Sequence, residues 1–165
     1  MTVLLYGLFK PVNSSLALLA AFSSLLGCSV QAFGSLFQLA PLIVLQGSPY
    51  LGVFKPEQLQ ALALMLLNLH SQAVYVYLVF FGVFDFLIGY LIFQSAFLPR
   101  ILGVLMALAG FGWLTCLSPS LAKHLSPYIE ILGFLAELLL LLWLLVKGVN
   151  VERWKEQASA AREGK

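Results

Sequence analysis

No charged side chain occurs from Pro11 to Phe54 or from Ile101 to Ala122. Asp85 stands alone between Gln58 and Pro99, and Glu137 stands alone between Ile131 and Val146. A helix needs about 20 apolar residues to cross the ~30 Å hydrocarbon core of a bilayer. The runs therefore predict an all-α polytopic transmembrane helical bundle with four full spans and a partial N-terminal helix. The helices fall at about 14–45, 57–94, 100–117 and 127–147, with the partial one at 2–9.

Punctuation between the runs fixes their ends. Lys10-Pro11-Val12-Asn13 is a break, and Asn13 or Ser14 can cap the helix that follows. That helix would be about 48 Å long. It must tilt, project from the bilayer or kink, with Gly34 and Pro41 the candidate kinks. Gln46-Gly47-Ser48-Pro49 is turn chemistry, and Lys55-Pro56-Glu57 opens the next helix with Pro at its first position and Glu at its positive end. Asn68, His70, Ser71 and Gln72 make one turn of it polar, so its hydrocarbon portion is Ala73–Phe93. Ser95–Pro99 connects to the third span, and Ser118–Ser126 reads as a loop before Pro127 starts the fourth. Met1–Phe9 would extend only ~13 Å as a helix, too short to cross, and reads as the second half of a longer one.

Residues 1–148 thus form a transmembrane domain and 149–165 a tail. In the tail, Val151, Trp154, Ala158 and Ala161 recur at helical spacing among charged residues. It is either an interfacial helix anchored by Trp154 or a solvated extension.

Composition supports the bilayer reading. Hydrophobic residues make up 61% of the chain and charged residues 10%, against about 25% charged in a globular domain. With a cytoplasmic C-terminus, Lys10, Arg100, Lys147, Arg153, Lys155, Arg162 and Lys165 lie inside and Lys55 and Lys123 outside. Seven cations against two is a positive-inside bias, which predicts a multi-pass protein of the cell (inner or plasma) membrane. Arg100, Trp143 and Trp154 are the expected interfacial anchors. No basic patch interleaved with aromatics suggests nucleic acid as a partner. Cys28 and Cys116 sit in apolar runs without metal-ligand or CxxC spacing. Leu25-Leu26-Gly27-Cys28 loosely matches a lipoprotein cleavage box, but the chain stays apolar to Val44, unlike a mature polar sequence.

A longer pattern runs through these segments. Phe80-Phe81-Gly82, Gly89-Tyr90-Leu91, Ser95-Ala96-Phe97-Leu98-Pro99-Arg100-Ile101-Leu102-Gly103-Val104-Leu105 and Ala109-Gly110 resemble the bacterial membrane-protein family called domain of unknown function 4386. Lys10–Asn13 with Ser15–Ala21, and Ala136-Glu137-Leu138 with Trp143-Leu144-Leu145, are similar to the same family. The resemblance implies six spans, with one and a half helices upstream of the position where this sequence starts. It implies a histidine where this chain has Asp85, and it implies no activity.

Candidate chemistry follows from depth. Gln31, Asp85 and Glu137 each fall near the middle of a predicted span, as a candidate midplane polar cluster. An ionisable group there costs about 2.5–3.5 kcal/mol on insertion scales and should face protein or water. No cation lies at the same depth, which favours neutral, hydrogen-bond-donating acids. The two carboxyls either share a proton or bind a cation, or they tie helices together through hydrogen bonds to Gln31 or a backbone carbonyl. Glu130 reads as an interfacial charge near a helix start, and Ser24, Gln31 and Gln38 as a seven-residue polar seam. Gly103, Ala107 and Gly110 form a small-residue packing face. His70 reads as an interfacial hydrogen-bonder, with a metal pairing to His124 poorly supported by spacing. No nucleophile–base pattern, HExxH or phosphate loop occurs, so neither an enzyme, a metal nor a cofactor is expected.

Two functions remain from the sequence. One is a structural or assembly subunit packing against other transmembrane helices, as a homo-oligomer or within a membrane complex. The other is a small proton- or cation-coupled carrier or channel using the midplane carboxylates.

Overall fold

The computed structural model describes residues 1–46 and 51–163. Six helices follow one another: α1 Thr2–Phe9, α2 Ser14–Leu45, α3 Pro56–Gln94, α4 Arg100–Leu114, α5 Pro119–Val146 and α6 Val151–Glu163, with a 3-10 turn at Thr115–Leu117. Four stretches are long and apolar enough to cross a membrane: Ser14–Leu45, Pro56–Gln94, Arg100–Leu117 and His124–Val146. After Gln46, the turn expected at Gln46–Pro49 lies outside the described residues.

Local chemistry explains the helix ends. Asn13 caps α2, its Oδ1 accepting from the Leu16 amide at 3.0 Å. Gln58 reaches back to accept from the Lys55 amide at 2.9 Å, closing the first turn of α3 behind Pro56. Gly148 takes φ +67° after α5, and its amide and that of Lys147 both reach the Trp143 carbonyl. A left-handed glycine at this position satisfies the orphan carbonyl and turns the chain sharply toward α6.

One boundary differs from the sequence expectation. Helix α5 starts at Pro119, not Pro127, which lies inside the helix. Ser118-Pro119 and Ser126-Pro127 are equivalent start signals, since proline suits a first turn where the missing amide is not needed. Leu121, Ala122, Lys123 and Leu125 between them are good helix formers. The helix therefore begins at the earlier signal.

Helices α2 and α3 form a long antiparallel pair. Gly27 packs on Tyr77 and Phe80, and Gly34 lies so close to α3 that a Cβ there would sit 2.7 Å from that of Ala73. Both Gly34 and Pro41 belong to one continuous helix. Helix α4 then packs on the C-terminal half of α3 through glycines on both sides. A Cβ on Gly103 would sit 2.7 Å from the Gly89 carbonyl oxygen, and one on Gly82 would sit 2.9 Å from that of Gly110. Removing side chains lets two backbones touch, which is how helices gain dispersion contacts where no water drives them together. Helix α5 returns alongside α4, with Gly112 against Ile129 and Gly133 against the Trp113 indole.

The buried core occupies one end of this arrangement. Phe9, Ala17, Ala20, Ile88, Leu91, Met106, Ala109 and Leu140 belong to it. Helix α4 and its 3-10 turn end at Leu117, near Gln72 and Tyr75 of α3. The part of α3 before His70, about 20 Å at 1.5 Å per residue, runs beyond that level paired with the C-terminal half of α2. In this arm Leu36, Leu39, Leu42, Leu64 and Met65 are all more than half exposed.

Candidate functional sites

Asp85 is fully buried on α3, among Phe84, Ile88 and the rest of the core. Neither of its carboxyl oxygens has a hydrogen-bond partner. Glu137 on α5 is only partly buried. No hydrogen bond joins them among the described residues. The helix-tying role that sequence allowed for Asp85 thus lacks its bond here.

Gln31 does not belong with them. Gly27 faces Tyr77 and Phe80, and Gly34 faces Ala73, so Gln31 lies opposite residues near 73–77 of α3. That is more than two helical turns from Asp85, or roughly 12–18 Å along the axis. The sequence placed Gln31 mid-span because it is the middle of a long helix. The bundle, however, shares its depth with only the first half of α2. Gln31 Oε1 is itself buried without a partner, at this second level.

The packing residues Gly103, Ala107 and Gly110 all touch α3. Gly103 meets Gly89, Ala107 offers its backbone to Gly89, and Gly110 lies against Phe86 and Gly82. Sequence reading missed the reciprocal pair Gly82 and Gly89. Their seven-residue spacing, equal to that of Gly103 and Gly110, was the available signal.

The three aromatic or basic anchors divide. Arg100 is exposed at the start of α4, its guanidinium 5.6 Å from the Phe93 ring centroid. Trp143 packs against the core. Trp154 is also drawn inward, because its indole N–H donates to the Leu8 carbonyl at 2.9 Å. The tail is helical and docked: the Asn150 amide donates to the Phe97 carbonyl at 3.2 Å, and Gln157 accepts from the Ala96 amide at 3.3 Å. The cations Lys10, Arg100, Lys147 and Arg153 thus gather at the end of the molecule closed by α6.

His70 is tied to the helix pair rather than left free. Its Nδ1 lies 3.0 Å from the Gly34 carbonyl oxygen. Because a carbonyl can only accept, Nδ1 carries a proton and donates. Among the described residues, no group of three His, Cys, Asp or Glu side chains could hold a metal ion.

Four apolar helices of spanning length, joined by glycine contacts around a buried carboxyl, define a polytopic helical bundle of the membrane class. More particularly, the chain belongs to the family described as domain of unknown function DUF4386, which it matches over residues 1–148. It is also similar to an uncharacterized protein of Archaeoglobus fulgidus, 36% identical over 73 residues. That likeness covers 42% of this chain and 43% of the relative, so the matched part spans less than half of the relative's length. No solved structure matches the chain. Helix α6 lies beyond the family match, yet it is bonded to α1 and to the α3–α4 connection within it.

Proposed function

We propose that this protein is a multi-pass membrane protein that works as an assembly subunit, packing its α2–α3 arm against the transmembrane helices of a second copy. The single observation that carries this reading is the arm itself. It extends the apolar pair past the end of α4 and exposes large aliphatic side chains on both helices. Helices in a bilayer associate through close van der Waals packing, and a two-helix arm that reaches past its own bundle leaves its flanks open to packing of that kind. The orientation that fits the charges keeps the α6 end, with Lys10, Arg100 and Lys147, on the cytoplasmic side.

The test is native mass spectrometry of the protein released from lipid nanodiscs, with arm variants Leu39→Gln and Leu64→Gln. Oligomers that revert to monomers in the double variant support the reading. A wild-type chain that stays monomeric at every protein-to-lipid ratio overturns it.

A second reading rests on Asp85. A carboxyl that is fully buried and unpartnered is a functional candidate by default at membrane depth. In that reading Asp85 and Glu137 handle a proton or monovalent cation. Proton flux into liposomes that persists unchanged in Asp85→Asn would exclude it.

A further inference from the structure

A cleft of about 330 Å³ opens where α3 passes the end of α4 and the start of the returning α5. His70 and Tyr75 of α3, Trp113 and Cys116 around the end of α4, and Ser126 and Glu130 of α5 line it. These residues come from three separate helices, and sequence reading placed none of them together. The volume is roughly that of eleven waters at ~30 Å³ each, and it falls at the small end of ligand sites.

The chemistry of the lining is one-sided. Glu130 supplies a carboxylate, and the ring edges and faces of Tyr75 and Trp113 supply aromatic walls. His70 already donates its Nδ1 proton to Gly34, so in its neutral form Nε2 remains as an acceptor. Leu78 and Ile129 make an apolar floor. The Trp113 indole N–H is enclosed against Gly133 of α5, so this residue offers the cleft its ring and not its donor. A carboxylate beside aromatic faces attracts a positive charge that is weakly hydrated, through Coulomb and cation–π terms together. A metal ion is not favoured, since among the described residues no three His, Cys, Asp or Glu side chains could hold one.

We infer that this cleft binds the ammonium group of a small organic cation. The ammonium sits between Glu130 and the Tyr75 and Trp113 rings. This site is independent of the arm and of Asp85. Two sources share the chemistry: a free amino alcohol, or the ethanolamine headgroup of a phospholipid. An adjoining hollow of about 500 Å³ shares Tyr75 and Cys116 and is walled by Val76, Val79 and Leu117, which suits an acyl chain.

Cys116 makes the test direct. In a Cys28→Ser background the only thiol lines the cleft, so its maleimide alkylation reports occupancy. The probe is choline, with 3,3-dimethylbutan-1-ol as its uncharged isostere, on the full chain in phosphatidylglycerol nanodiscs. Choline is expected to slow alkylation saturably while the isostere does not. Glu130→Gln should weaken the protection by up to roughly fivefold, the upper end for an exposed charge pair. Glu130 is exposed, so this variant keeps its helix content, and circular dichroism checks that directly. Slow alkylation in phosphatidylethanolamine discs without added choline identifies the lipid headgroup as the source, and fast alkylation there identifies the free amine. No protection by either source, equal protection by the isostere, or an unaltered response in Glu130→Gln overturns the inference.

Discussion

Trp154 and Leu8, 146 residues apart, are joined by an indole N–H donated to a backbone carbonyl at 2.9 Å. The bond fastens the last helix of the chain to the first. It also satisfies a carbonyl near the end of α1, a helix of 8 residues whose Leu5 and Phe9 join the core. Trp154→Phe keeps the ring and deletes the donor, and it should cost about 1 kcal/mol. Hydrogen exchange is expected to accelerate in the amides of α6 and of the last turn of α1, with α3 and α4 unaffected.

The α3–α4 contact depends on absent side chains. Gly103→Leu would drive carbons into the Gly89 carbonyl and the Phe93 amide, both 2.7 Å from a Cβ at that position. A loss of about 1–3 kcal/mol is expected, read as a lower melting temperature in detergent. Gly7→Ala is the matched control, because nothing lies within 4 Å of a Cβ there. It should be neutral or gain up to about 1 kcal/mol from helix propensity.

The same reasoning applies to the arm, with a reciprocal test. Gly34→Ala would set two methyl groups 2.7 Å apart across α2 and α3. Ala73→Gly opens the space but weakens α3 by about 1 kcal/mol. The double variant should therefore be more stable than the sum of the singles by about 1 kcal/mol or more. His70 sits beside this contact, so its ring NMR signals should shift in Gly34→Ala and return in the pair.

Asp85 offers a prediction whose sign separates two roles. A buried polar group without a hydrogen bond costs roughly 1–3 kcal/mol by mutational measures. Asp85→Leu removes that group at a fully enclosed site, and the melting temperature should rise. A fall of comparable size would mean that Asp85 ties helices together after all. A more stable protein that has lost a transport activity would be the signature of a functional carboxyl.

The elements of the fold were legible in the sequence because their causes are local. Spanning length follows from runs of uncharged residues, and helix starts follow from Asn13 and from Pro56 behind Lys55. The grouping of Lys10, Arg100 and Lys147 at one end follows from these cations falling at chain reversals. The packing face of α4 was legible too, since Gly103, Ala107 and Gly110 repeat at helical spacing.

Depth and company were decided only in three dimensions. Gln31 lies near the middle of its helix yet more than two turns from Asp85, because α2 outruns the bundle it belongs to. Two Ser-Pro steps offered equal starts for α5, and the segment between them joined the helix because Leu121, Ala122, Lys123 and Leu125 are good helix formers. Trp154 carries the composition of a headgroup anchor, but a free carbonyl on α1 was near enough to claim its N–H. His70, Trp113 and Glu130 are 43 and 17 residues apart in the chain, and they share a cleft because α3, α4 and α5 end at different heights. Periodicity and punctuation record which residues form a helix and where it stops. They hold no information about how far one helix slides along another, and that offset sets which polar groups meet.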